Sequence, residues 1–493
     1  MADQVPNAAA PKEENFILTI GFILVLFVIA AIVVSFLFSL PRFALGPFVR
    51  HFFSYTWWLF LCAILLPVAR STWLFWRQEL FKHSGEFTSI LLELKVPREV
   101  HRSPRAMEQL LMTIHALRNE ATDLRELYWD GEVTRWYSLE IVSFGGEIHM
   151  YIRTYYKQKG LVEAAFFSYY PDMEIVEVDD YVDRFPENVR EMDKQGYDLW
   201  GGEMILAHED AYPIRSYLAF ESPDEEKQYD PISAFLEALG RIRKEEMVAV
   251  QYLISPASPK WKDKWEKLIE NLRSKAQLKQ KENQAKYKTT TDFPGGPLPA
   301  FAVEGGEDKR DPFTSFMRTP GEADVLKAVE NNLSKQGFKT VIRFLYFSPV
   351  SLFYDSFPRR GILGAFNQYA ALDMNFFKIN YPKATKTKIW TKPYVFPTRR
   401  NLYRKERILQ EYKQREMPHE TFMGKFLTAY LFNWNFTTKA HILTTESLAT
   451  LFHLPTALVL TAPHMKRVES RKAGPPAGLA IFGGGEKEIE KYL

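Results

Sequence analysis

Phe16 to Leu40 is a run of 25 residues without one charged side chain. At about 1.5 Å per helical residue such a run covers the roughly 30 Å hydrocarbon core of a bilayer, and it predicts a transmembrane helix. A signal peptide is the poorer reading, because Lys12, Glu13 and Glu14 precede the run and it is too long for a signal h-region. A second uncharged run, Phe52 to Ala69, has 18 residues with Pro67 near its end, bracketed by Trp57, Trp58, Trp73 and Trp76 as interfacial anchors. The expectation is a transmembrane helical hairpin with an interfacial segment over 16–82, after a tail of 1–15. The alternative is one span followed by an interfacial amphipathic helix. Lys12, Arg70, Arg77 and Lys82 outnumber Arg42 and Arg50 of the connecting loop. The positive-inside rule then puts both termini in the cytoplasm of a multi-pass protein of the inner membrane, with the lipid bilayer as its first partner.

The rest of a 493-residue chain suggests two or three further units. A single cysteine, Cys62, excludes an intramolecular disulfide framework and any zinc site built on several thiolates. Phe87 to Pro97 is strand-like. Ser103-Pro104 starts a helix that runs to Arg118. Trp136 to Phe144 and Glu147 to Thr154 flank Gly145-Gly146 as a hairpin. A helix over about 159–169 and a strand from Glu174 to Val178 complete the order β-α-β-β-α-β, the ferredoxin-like split βαβ, over 84–185. Met204 to His208 and Arg215 to Glu221 read as strands, a helix follows Asp230-Pro231, and Met247 to Ser255 is a buried strand. Trp261 to Gln277 reads as a charged helix. After a linker-like stretch over about 280–320, a helix from Glu322 to Lys335, the strand Thr340 to Phe347 and a helix around Leu363 to Ala371 follow. The fold class is thus α+β: the hairpin, then two ferredoxin-like domains, the second over 198–375. A basic region with a C-terminal α/β segment over 376–475 and a tail over 476–493 close the chain.

Catalytic signatures are missing. No phosphate-cradling G-x-x-x-x-G-K-[ST], H-E-x-x-H, G-x-S-x-G or C-x-x-C occurs, and no cofactor is implied. His441, Glu446 and His453 are metal-ligand types, but a helix N-capped by Thr444 or Thr445, with Glu446 in its first turn and His453 at its end, accounts for them better. The acidic string Asp172, Glu174, Glu177, Asp179, Asp180 and Asp183 reads as a solvated or docking face. No catalytic or metal residue is assigned.

Charge is segregated, although the formal net charge is only +3. Asp172 to Asp230 holds 18 acidic and 5 basic residues; Lys378 to Arg415 holds 12 basic and 2 acidic, interleaved with aromatic side chains. Within that basic block Lys386, Lys388, Trp390, Lys392, Arg399, Arg400, Tyr403, Arg404 and Arg407 are the candidate contacts. A solvated surface, a nucleic-acid backbone with stacked bases, an acidic partner protein and anionic lipid headgroups all suit this composition.

Several segments together resemble an uncharacterised membrane-anchored family of candidate-phyla bacteria, itself similar to the N-terminal region of HerA/FtsK-type ATPases of conjugation and type IV secretion. They are LLELKVPREVHRSPRAMEQLL from Leu91, WYSLEIVSFGGEIHMYIRT from Trp136, YYPDMEIVEVDDY from Tyr169, TPGEADVLKAVENNLSKQGFKTVIRFLYF from Thr319 and HILTTESLATLFHLP from His441. The resemblance implies a membrane-tethered part of a DNA or protein translocation machine. In that family a segment like Glu469 to Ala477 precedes the ATPase, whereas this sequence ends at Leu493. The expected function is therefore a non-enzymatic scaffold that docks a separate HerA/FtsK-type ATPase, with DNA and further copies of itself as other partners. A membrane-tethered nucleic-acid-binding protein and a membrane-associated enzyme without a recognisable motif are the alternatives.

Overall fold

A computed structural model describes residues 45–83, 87–97, 100, 102–221, 229–273, 320–385, 396–428 and 439–456. The chain divides into two compact units, Met1–Trp73 and Leu74–Leu493. In the first, helix α1 (Leu45–Lys82) begins and then continues into the second. The run Phe16 to Leu40 lies outside the described residues. Among the described residues no helix is long and apolar enough to cross a membrane, and this corrects the transmembrane hairpin and the multi-pass inner-membrane location. The apolar part of α1 is diluted by Ser54, Tyr55, Thr56, Trp57 and Trp58, broken in composition by Pro67, and followed by Arg70, Arg77 and Lys82. Ser54 and Thr56 turn their hydroxyls onto the carbonyls of His51 and Phe52. Trp57, Trp58, Trp73 and Trp76 stand exposed along the helix.

Among the described residues the second unit is built on one sheet of nine strands, all pairs antiparallel, in the order β4-β1-β3-β2-β6-β7-β5-β8 with β9 against β7. The strands are β1 (Ser89–Lys95), β2 (Tyr137–Phe144), β3 (Glu147–Tyr155), β4 (Glu174–Val178), β5 (Tyr197–Leu206), β6 (Met247–Pro256), β7 (Gly337–Pro349), β8 (Phe377–Ile379) and β9 (His441–Thr444). The first four have the order 4-1-3-2 of a split βαβ unit. The next four in the chain, β5 to β8, repeat that order when read from the other edge, and β2 pairs with β6 where the halves meet. Two separate ferredoxin-like domains are thus corrected to one α+β body with a continuous sheet. The reason lies in β2 and β6: eight residue pairs join them, and nearly every residue on both strands is buried, so neither half could leave that edge open to water.

Helices α2 (Arg105–Ala116), α3 (Lys159–Tyr169), α5 (Ser233–Gly240), α7 (Leu363–Phe366) and α10 (Thr445–Leu451) pack one face of the sheet, through side chains such as Met107, Ile114, Phe166, Phe235, Phe366 and Leu448. The other face carries α4 (Val189–Lys194) and α8 (Pro397–Gln414), seated by Val189, Met192, Ile408, Leu409 and Tyr412 on Val142, Leu199, Ala249 and Leu345. Between these in chain order come α6 (Pro320–Ser334) and α9 (Phe422–Leu427). Gly201 lets α8 approach β5, since a Cβ there would stand 2.6 Å from Leu345 Cδ2 and 3.2 Å from Ile408. At the β2–β3 turn Gly145 and Gly146 have φ of +58° and +95°, the left-handed region that glycine tolerates. Arg215 to Glu221 is not a strand; Tyr217–Ala219 forms a short 3-10 turn, its geometry fixed by Thr450 Oγ1 on the Tyr217 amide and by the Tyr217 hydroxyl on Glu108. Most of the linker-like stretch lies outside the described residues.

Candidate functional site

On the face covered by α8, a polar row crosses six neighbouring strands. Glu93 pairs with Tyr151, Tyr151 with Glu140, Glu140 with Gln251, Gln251 with Arg343 and Arg343 with Glu203. Each of the last four is a polar residue pointing into a buried layer, and each is at most 2% exposed. Unpaired groups at such depth are expensive, so the row requires partners from the element that covers it. Helix α8 with its C-cap Arg415 supplies several of them, and Lys383 and Tyr181 supply others.

Arg415 is the central partner. Its Nε donates to Glu140 Oε1 at 2.5 Å and one terminal nitrogen to Glu140 Oε2 at 3.1 Å, while both terminal nitrogens reach Asp180, at 2.5 and 2.9 Å. Glu140 also accepts from Ser138, from the Tyr181 hydroxyl at 2.6 Å and from Gln251 Nε2 at 3.0 Å. Burial alone would raise the Glu140 carboxyl, but the Arg415 guanidinium and these donors hold it below its ordinary value. Burial works equally against the Arg415 cation, and Glu140 with its neighbours overrides it and raises Arg415 well above its usual range. Desolvation and the nearby Glu140 charge push the Tyr181 hydroxyl well up, so it stays protonated and donates.

One step along the row lies a second cluster. Arg343 contacts Glu203 at 3.3 Å and Glu411 at 3.5 Å; Lys383 contacts both Glu411 oxygens at 2.9 Å; Arg407 Nε donates to Glu411 at 2.6 Å. Glu411 is buried, which would raise it, yet Lys383, Arg343 and Arg407 around it hold it far below the ordinary carboxylate range. Here three cations face two carboxylates, and in the first cluster one guanidinium faces two, so the network as a whole is balanced.

The row also finishes the helix. A helix C-terminus leaves four carbonyls without intrahelical donors. Arg343 donates to the carbonyls of Glu411 and Glu416 at 3.2 and 2.8 Å, Gln251 to that of Tyr412 at 3.2 Å, and Trp136 Nε1 to that of Arg415 at 2.7 Å. Arg415 caps α8 in the left-handed conformation, φ 51° and ψ 40°, a place usually given to glycine. An arginine stands there because that backbone geometry aims its side chain into the sheet.

The sequence-level candidates fall in several places. Lys386, Lys388, Trp390 and Lys392 lie outside the described residues. Arg399 and Tyr403 are exposed on α8, and Arg404 is half-buried. Arg400 and Arg407 are turned inward, as are Lys383, Lys405 and Arg415 of the same basic block. Lys405 pairs with Asp198, Lys383 with Glu203 and Arg415 with Asp180, so the acidic and basic segments partly neutralise each other inside the fold. His441, Glu446 and His453 have three different partners: Asp210, Lys335 and Asp230. Thr444 precedes α10 without a side-chain cap bond, and His453 is buried, with Nδ1 on the Ala449 carbonyl and Nε2 on Asp230, each at 2.8 Å. Glu79, Glu416 and His419 have metal-ligand spacing, yet Lys82 Nζ sits 2.8 Å from Glu79 and 3.2 Å from Glu416, where a cation would go. Sequence reasoning missed Glu140, Gln251, Arg343 and Glu203. Their signal is a charged or amide side chain in the middle of a mostly apolar strand.

An antiparallel α+β sheet with an internally paired charge network is the class of protein that fold and site define. The chain belongs to the family of the domain of unknown function DUF8128, which matches residues 77–373. Glu140, Glu203, Gln251 and Arg343 lie within the match, and α8 lies beyond it. No curated protein matches the chain.

Proposed function

We propose that this protein is a non-enzymatic scaffold, a rigid sheet platform that docks a separate ATPase of HerA/FtsK type in a DNA or protein translocation machine. The observation that supports the scaffold reading is the α8 network: the ionisable groups that the fold gathers are engaged in one another and in the end of a helix. Each carboxylate there faces a fixed cation or hydroxyl, an arrangement that holds elements in place rather than moving protons. The ATPase partner rests on the resemblance of the segments from Leu91, Trp136, Tyr169, Thr319 and His441.

The test uses the full chain and the motor ATPase encoded nearest to it. Association in size-exclusion chromatography, together with a change in the motor's ATP turnover when the chain is added, is the expected result. Phosphate release by the chain alone, or neighbouring reading frames that repeatedly lack any motor, overturns the proposal.

A further inference from the structure

The layer under α8 is not closed at every side. Where β2 ends, β6 begins and β7 ends, an open pocket of about 220 Å³ lies at the end of the continuous sheet. Phe144, Tyr197 and Phe347, all half-buried, line it. Tyr197 and Phe347 lie stacked, with ring centroids 4.7 Å apart and planes within 7°. At the mouth stand two exposed cations, Arg184 and Lys244. Arg184 rests over the Phe144 ring at 5.5 Å. Of the two acids nearby, Glu246 is buried and accepts from the Tyr346 hydroxyl and the Arg243 amide, which leaves only exposed Glu245 against the two cations.

We infer that this cavity binds a nucleobase together with its phosphate. The volume falls below the roughly 300–1,000 Å³ of sites that enclose a whole drug-sized ligand, so it admits one ring system and leaves the remainder at the mouth. A flat, stacked aromatic wall suits a base, which presents a π-face whatever its identity. Exposed cations at the mouth suit the phosphate of a nucleotide. The proposal is independent of the scaffold reading and does not involve the exposed Arg399 and Tyr403 of α8.

A free nucleotide and a single strand share this chemistry, and the experiment separates them. The full chain is titrated into 5′-labelled dT12 by fluorescence anisotropy at two salt concentrations, and AMP is added as competitor and followed alone by saturation-transfer NMR. Binding of dT12 is expected, weakened about tenfold or more by Tyr197→Ala, because each stacked base contributes strongly to single-strand affinity. Lys244→Glu, at an exposed side chain, should lower the slope of log affinity against log salt by at least about 0.7. Competition by AMP assigns the site to free nucleotides; dT12 binding that AMP does not displace assigns it to strands. The inference is overturned if neither probe binds, or if both variants bind dT12 as the parent does. Saturation transfer to N-acetyl-tryptophanamide, with none to AMP and no dT12 binding, also overturns it, because the cavity would then take an aromatic side chain of a partner protein.

Discussion

Arg415 concentrates two opposing effects in one residue, and three substitutions separate them. Arg415→Ala removes four hydrogen bonds to Glu140 and Asp180 and leaves Glu140, which is 0% exposed, without its counter-charge. Breaking a buried pair from one side is destabilising by about 3–5 kcal/mol. Alanine also keeps a side chain at φ 51°, a left-handed backbone that disfavours any Cβ by roughly 1–2 kcal/mol. Arg415→Gly loses the same pair but relieves the backbone, so it should be about 1 kcal/mol less destabilising than Arg415→Ala. Glu140→Gln in the Arg415→Ala background removes the stranded charge and should restore about 2 kcal/mol, a coupling that two independent sites would not show. Urea unfolding of the full chain, read as ΔG by linear extrapolation, gives all three differences. Because the folded Glu140 carboxyl is depressed, its contribution is fully present above the ordinary carboxylate pKa and is lost as pH falls through the lowered value. The Arg415 variants should therefore lose part of the parent's acid sensitivity. A loss below about 1 kcal/mol for Arg415→Ala, or strict additivity with Glu140→Gln, would refute the assignment of the network as the seat of α8.

Other outcomes follow from the same geometry. Gly201→Ala forces a methyl to within 2.6 Å of Leu345 and should lower stability by about 1–3 kcal/mol through overpacking, visible as a reduced urea midpoint. Gly145→Ala combines φ +58° with a Cβ placed 2.6 Å from the Lys244 carbonyl oxygen, and should lower the thermal midpoint and broaden the Gly146 amide resonance. The Asp230 carboxyl is buried, which raises it, but His453 and the Thr456 and Ile232 amides bring it to about 2. Its stabilisation, roughly 2 kcal/mol, is present above about pH 4 and lost as pH falls towards 2. Asp230→Asn should remove that acid limb from a plot of stability against pH. Tyr403→Ala, on the exposed side of α8, should change stability by less than about 0.5 kcal/mol.

Some of this was legible in the sequence. The two strands around Gly145-Gly146 carry their own turn chemistry, and alternation in Glu147 to Thr154 shows which side chains face inward. The segregation of acid from base was equally plain as a count. That Asp180, Asp198 and Glu203 are the partners of Arg415, Lys405 and Lys383 was not, because the pairing depends on sheet register and on α8 returning across β5 from nearly two hundred residues further along. Glu140 and Arg343 look like exceptions inside apolar strands until the register aligns them with Gln251 between. Uncharged length was the least reliable guide: Phe52 to Ala69 is uncharged, but it lies in a helix of 38 residues that also holds hydroxyls, tryptophans and arginines.

The joining of two half-sheets through β2 and β6 also decides how the molecule avoids its own kind. Each half, taken alone, would offer that eight-pair edge to any passing strand; once joined, the ends of the main strand row are β4, with five residues, and β8, with three. Strands that short template poorly. Glu174 and Glu177 add exposed carboxylates along β4. Among the described residues the long edges are concealed at the centre and only short strands stand outside, so the sheet is wide without offering a long edge as a seed for fibres.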